Sequence, residues 1–138
     1  VADEAFLAGL LHDCEKLVLI MNFPDDYRDL VDRGGGCHGE AGRFGADHAA
    51  IGAHLLGLWG LPDTIVEAVA FHHRPMESPS RSLSPLTVVH AAVALEDRSD
   101  PAALPAWDVA YLDRAGRLES LAAWVRIAED LAYERANP

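Results

Sequence analysis

Asp47-His48-Ala49-Ala50-Ile51-Gly52-Ala53-His54-Leu55-Leu56, followed by Trp59-Gly60-Leu61-Pro62, is the stretch whose reading decides the fold. Asp47 suits a helix N-cap, because its carboxylate can accept from an unpaired amide of the first turn. The helix it opens runs to Trp59, with Ile51, Leu55, Leu58 and Trp59 as its expected buried stripe and Gly60 as its terminal glycine. His48 shares a face with Gly52, Leu55 and Trp59, so its imidazole is expected to look inward. Pro62 opens a further helix at a first position, and Pro75 closes it just past His72-His73. His72 lies seven residues after Ile65 and His73 seven after Val66, so one of the two imidazoles falls on the buried side. The spacing leaves open which.

Working outward, the same punctuation continues. A helix is predicted over residues 3–21, with Phe6, Leu7, Leu10, Leu11, Cys14, Leu17 and Val18 at i, i+3, i+4, i+7 spacing. Pro24 stops it and starts a short helix over 24–31. The run Gly34-Gly35-Gly36 is a joint, and residues 37–46 fit no single pattern. Beyond a polar loop over 74–84, Ser84-Pro85 caps a helix to Glu96 with Leu86, Val89, His90 and Val93 on one side. A loop over 97–105 leads to a short helix around 107–112. An amphipathic helix carrying Leu118, Leu121, Val125, Ala128 and Leu131 comes last. No stretch alternates as a strand does. The expectation is an all-α bundle of six to seven helices in a single domain spanning residues 1–138.

Charge and composition exclude several classes. The chain has 138 residues, 11 basic against 22 acidic, and a net charge of −11, which repels phosphate backbones and argues against nucleic acid as a partner. The longest apolar runs, such as Leu17 to Met21, are five residues, far short of the roughly 18–20 of a membrane span, so no membrane is expected either. The first residues, Val1-Ala2-Asp3-Glu4, lack a basic leader region. Cys14 and Cys37 have no metal or disulfide spacing and read as free thiols of a reducing compartment, so a cytoplasmic location is expected.

Three polar pairs interrupt the apolar helices: His12-Asp13, Asp47-His48 and His72-His73. His12, Asp13 and Lys16 stand three and four residues apart and can point near one spot. Side chains from facing helices meet inside a bundle, which is how bundles build metal sites. Imidazoles with one carboxylate suit a divalent transition metal such as iron, manganese or zinc. His12, Asp13, His48, His72 and His73 are therefore the candidate ligands. The bland reading is that buried imidazoles bond to a carbonyl or to Asp13, and that His12 and Asp13 tie helices together.

The segment from Ala5 to Asp13, with Lys16-Leu17-Val18-Leu19 after it, resembles the histidine–aspartate core of the HD superfamily. The Asp47–Leu56 stretch, Trp59-Gly60-Leu61-Pro62, Ile65 and His72-His73-Arg74-Pro75 resemble its HDOD branch, the HD-related output domains of bacterial signalling, and the likeness continues through Val88-Val89-His90-Ala91-Ala92. The resemblance implies a helical bundle and a regulatory role beside receiver, GGDEF, EAL or kinase-type domains. It also implies an upstream helical subdomain that this chain is expected to lack.

Active relatives, including the HD-GYP cyclic-dinucleotide phosphodiesterases, close their site with a later Val-Ala-Asp aspartate. Here His90-Ala91-Ala92-Val93 stands there, with Val93 in the aspartate's place, and the Gly-Tyr-Pro signature is absent. The expectation is a non-catalytic output or scaffold domain, purified without stoichiometric metal and without a required cofactor. The rival is a metal-dependent phosphohydrolase in which the histidines and Asp13 hold the ions and Lys16 the phosphate. His90, one turn before Val93, is either a substitute ligand or a satisfied core histidine. His38 and His54 read as surface residues, Cys14 as core, and Trp59, Trp107 and Trp124 as packing residues. In the non-catalytic reading Asp13 is partly buried and its cluster mutually hydrogen-bonded.

Overall fold

The structure is a computed structural model and describes residues 1–96 and 105–137. Among these, nine α-helices and no strands are found: α1 (Ala2–Leu11), α2 (Cys14–Asn22), α3 (Pro24–Asp32), α4 (Gly36–Phe44), α5 (His48–Leu58), α6 (Asp63–Phe71), α7 (Pro85–Glu96), α8 (Val109–Arg114) and α9 (Leu121–Ala136). The all-α expectation holds. Short 3₁₀ turns occupy Pro75–Glu77, inside the expected polar loop, and Leu118–Ser120. Most of the expected 97–105 loop lies outside the described residues. No described helix is long and apolar enough to cross a membrane.

α6 is the centre, packed against α5, α7 and α1, while α2 lies on α3 and α5. The core is made of Ala8, Leu56, Ile65, Ala68, Val69, Leu86, Val89, Tyr111 and Leu112. Asp47 caps α5 as expected, its carboxylate accepting from the Ala50 amide at 2.9 Å. Pro62 sits one place earlier than expected, as the residue before the first turn of α6. α8 is anchored by the Tyr111 hydroxyl against Thr87 Oγ1 at 2.8 Å, both wholly buried. Trp107 and Trp124 pack on the core as expected.

Three expectations fail. The helix over 3–21 is two helices, because the backbone leaves the helical path at Asp13 (φ −119°, ψ 11°). Leu11 and Cys14 of the expected stripe pack against the core, but the fully buried residues are Ala5 and Ala8 on α1 and Glu15 and Leu19 on α2. Phe6, Leu10, Leu17 and Met21 point outward, Met21 being 82% exposed. In α5 the buried residues are His48, Ala49, Gly52 and Leu56, and Leu58 and Trp59 are exposed. The last helix buries no residue fully; Leu121, Val125 and Ala128 are half-covered and Leu131 is exposed. In α1, α2 and α5 the cause is close approach: where helices cross tightly, small residues occupy the contact and bulky ones cannot enter.

Gly52 is the tightest of these contacts. A Cβ there would lie 2.5 Å from Glu15 Oε2 and 3.1 Å from Val69 Cγ1. Gly57, on the same helix, has nothing within 4 Å of its would-be Cβ. Gly52→Ala is therefore expected to cost about 1–3 kcal/mol by overpacking, whereas Gly57→Ala should stabilise by about 0.5–1 kcal/mol. Urea denaturation of the two variants side by side checks both signs.

Glu15 is completely buried, and neither carboxyl oxygen has a hydrogen-bond partner. Burial, with the nearby Asp13 and Glu40 carboxylates adding to it, pushes its pKa from 4.5 to about 7. The fold thus favours the protonated form. The stability this contributes is fully present below pH 4.5 and lost as pH rises through about 7. At one pKa unit per 1.4 kcal/mol the loss is about 3 kcal/mol. In chelator, Glu15→Gln should remove that decline, so that its stability advantage over wild type grows between pH 5 and 8. A parallel pH dependence in both proteins would show that Glu15 does not titrate as described.

Candidate functional site

Three histidines are oriented by the same device. His12, at the C-terminal end of α1, places Nδ1 2.7 Å from the Gly9 carbonyl. His72 does the same at the end of α6, with Nδ1 2.8 Å from the Val69 carbonyl. A carbonyl only accepts, so in both rings Nδ1 carries the proton and Nε2 keeps its lone pair. His48, the first residue of α5, directs Nδ1 at Glu40 Oε2 at 2.5 Å, and its backbone N–H donates to the same oxygen at 2.9 Å. Its Nε2 is likewise turned away from that anchor.

These Nε2 atoms converge on Asp13, which the break between α1 and α2 sets beside His12. His12 Nε2 is 3.5 Å from Asp13 Oδ2, and His48 Nε2 is 3.6 Å from Asp13 Oδ1. One donor atom from each of Asp13, His48 and His72 lies within 4.8 Å of the other two. Lys16 Nζ donates to Asp13 Oδ2 at 2.7 Å. The expected fully hydrogen-bonded cluster is not what forms: Asp13 Oδ1 and the buried His72 Nε2 have no hydrogen-bond partner. The expected partial burial of Asp13 and its hydrogen bond from Lys16 do hold, the side chain being 39% exposed.

The electrostatics agree with this geometry. Burial pushes the Asp13 carboxyl up, but the Lys16 hydrogen bond and the charges of His12, Lys16 and His48 outweigh it and hold the pKa below the usual aspartate value. Burial, helped by the charge of His73, drives the His72 pKa down to about 3, so that ring is neutral at physiological pH. The neutral His72 lone pair beside the Asp13 carboxylate, with His48 within reach of both, is a donor set that suits a divalent cation. The orphaned His72 Nε2 is the observation that makes the fit. His12, Asp13, His48 and His72 are the residues that could hold the ion.

His73 does not share the interior with His72. It is exposed, its ring 4.0 Å from that of His72 and its Nε2 3.0 Å from His48 Nε2. His38 and His54 are on the surface. His90 is a core histidine: Nδ1 donates to the His72 carbonyl at 2.8 Å and Nε2 accepts the Asp108 amide at 3.0 Å. Burial lowers its pKa, in keeping with a neutral ring. Both nitrogens are used, so His90 cannot stand in for a ligand at position 93. Val93 itself packs against the core.

Glu40, Glu15 and Cys37 are absent from the sequence-derived set. Glu40 is 3% exposed and also accepts from the Tyr27 hydroxyl at 3.4 Å. The signal that could have found it is the glycine at position 45, whose left-handed backbone (φ 82°) ends a helix two residues before the Asp47 cap. That makes residues 36–44 a helix with Glu40 as its one acid. Cys37 lies on the same helix, its thiol pKa pushed up by burial and by the Asp47 and Glu40 carboxylates.

A family model described as HDOD domain matches residues 1–75, from the start of α1 to just beyond the histidine pair. The chain belongs to the HDOD family. No curated protein and no solved structure matches it.

Truncating Glu40 leaves a buried imidazole and a buried amide without their acceptor. Glu40→Ala is expected to lower stability by about 3–5 kcal/mol, and Glu40→Gln by less, since an amide oxygen can still accept. Denaturant midpoints of the two variants test the order; equal losses would mean that the carboxylate charge, not the acceptor, holds His48.

Proposed function

We propose that this HDOD domain is a non-catalytic output or scaffold module of bacterial signal transduction, working beside receiver, GGDEF, EAL or kinase-type partners. The observation that carries the reading is position 93. Where the resemblance to phosphohydrolases calls for a closing aspartate, a half-buried Val93 packs against the core, and the neighbouring His90 has spent both nitrogens on backbone groups. An apolar side chain cannot ligate an ion or orient a water. Lys16 supports the same reading, because its ammonium is engaged by Asp13 rather than held out for a phosphate.

The inner donors retain a use without turnover. A divalent ion held by His12, Asp13, His48 and His72 would supply positive charge to the Asp13 carboxylate and the imidazole lone pairs. It would join α1, α2, α5 and α6, whose ends carry those residues. His12 and Asp13 then act as positioning groups for the bundle.

The test is an assay of a cyclic dinucleotide and a chromogenic phosphodiester with manganese, iron(II) or zinc supplied in turn. No turnover above the metal-only rate is expected. Hydrolysis that disappears in both His12→Ala and Asp13→Ala would overturn the reading in favour of a phosphohydrolase.

A further inference from the structure

α7 and α9 form the two walls of an apolar trough of about 490 Å³. Val88, Ala92 and Leu95 line it from α7, and Ile127, Ala128 and Leu131 from α9. At 1.5 Å per residue the lining runs about 12 Å along α7, from Val88 to Glu96, and about 16 Å along α9, from Trp124 to Arg135. Val88, Ile127 and Leu131 are exposed, and α9 buries none of its residues fully. Apolar surface left open on both walls of one groove marks a site of association.

The spacing of the walls gives the form of the occupant. Val88, Ala92 and Leu95, like Trp124, Ala128 and Leu131, stand at i, i+4 and i+7. Each wall therefore presents the ridges against which a third helix packs its own apolar edge. The charges give its sign. Glu96 is the last residue of α7 and lines the trough, and Asp130 and Glu134, three and seven residues after Ile127, follow the edge of α9. All three are exposed, and none is paired with a cation among the described residues. Arg135 is the one cation of the lining. The chain as a whole carries −11, so this rim draws a basic partner. It opposes a second copy of the chain, which would bring the same carboxylates against each other.

We propose that the trough between α7 and α9 docks a basic amphipathic helix of another protein. Apolar anchors at i, i+4 and i+7 of that helix fill the trough, and its flanking lysine or arginine side chains face Glu96, Asp130 and Glu134. None of these residues belongs to the histidine–aspartate cluster, so the inference does not depend on whether that cluster holds metal or hydrolyses phosphodiesters.

The probe is a synthetic peptide of about four helical turns, with leucine at the anchor positions and lysine on both flanks. Calorimetric titration should show one peptide bound per chain, with affinity falling as salt is raised. A scrambled peptide and one with glutamate for every lysine should each bind about tenfold more weakly or worse. Ile127→Asp and Leu131→Asp, both at exposed positions, should weaken the peptide by about tenfold or more. Leu10→Asp, on the exposed apolar side of α1, should leave binding unchanged. A second measurement uses the unaltered protein and so does not depend on a variant folding: the peptide should slow amide hydrogen exchange in α7 and α9 and not in α1 and α2. No binding, equal binding of the scrambled peptide, loss of binding in Leu10→Asp, or protection that spares α9 would each overturn the proposal. A wild-type dimer in sedimentation that Leu131→Asp abolishes would also overturn it, by assigning the trough to a second copy.

Discussion

Gly52 has no side chain to spare because Glu15 and Val69 fill the space one would need. That contact sets how closely α2, α5 and α6 approach, and everything polar in the interior follows from it. The histidines at the start of α5 and the end of α6 can share a point with Asp13 only if the helices bearing them nearly touch. The residues that allow this are small and fully buried, Ala8 and Ala68 at 0% exposure and Ala49 at 1%. The arrangement also encloses a carboxyl group that finds no hydrogen bond, a cost that a neutral, protonated Glu15 largely avoids.

The second organising element is the choice of proton. A free imidazole can carry its proton on either nitrogen, and a cluster of free imidazoles would hold many tautomers of similar energy. Here His12 and His72 each have one nitrogen fixed by a backbone carbonyl, and His48 by Glu40. In a neutral ring anchored in this way, as His72 is, the remaining nitrogen is the acceptor before anything binds. Anchoring of this kind orients metal-binding histidines and raises their basicity. It explains why Glu40, which is too far outside the inner group to count as one of its donors, is as buried as His48.

The fold class was legible in the sequence because punctuation is local chemistry. Pro24, Asp47, Gly60, Pro62, Pro75 and Pro85 each act through their own backbone or side chain, and each marks a real helix end. The buried faces were not legible, since reading them assumes that large apolar residues seek the core. Tight crossings invert that assumption and turn Phe6, Leu10 and Leu58 outward. The break at Asp13 involves neither proline nor glycine, so nothing in the chain around it announces it. In the candidate site the histidines and Asp13 were found because such pairs stand out in apolar helices. Glu40 and Cys37 were missed because their helix, with three glycines in nine residues, resembles a loop.

The outward turn of the large apolar residues has a colloidal consequence. Phe6 is 75% exposed, Leu10 69%, Leu58 70% and Trp59 64%, on a chain that carries a net charge of −11. At neutral pH and low salt, mutual repulsion keeps such surfaces apart. Near the isoelectric point of 4.8 that repulsion vanishes, and concentrated salt screens it to within a few ångströms at any pH. Adhesion between copies is then limited only by the apolar surface itself, so the acidity of this chain works as its solubilising coat.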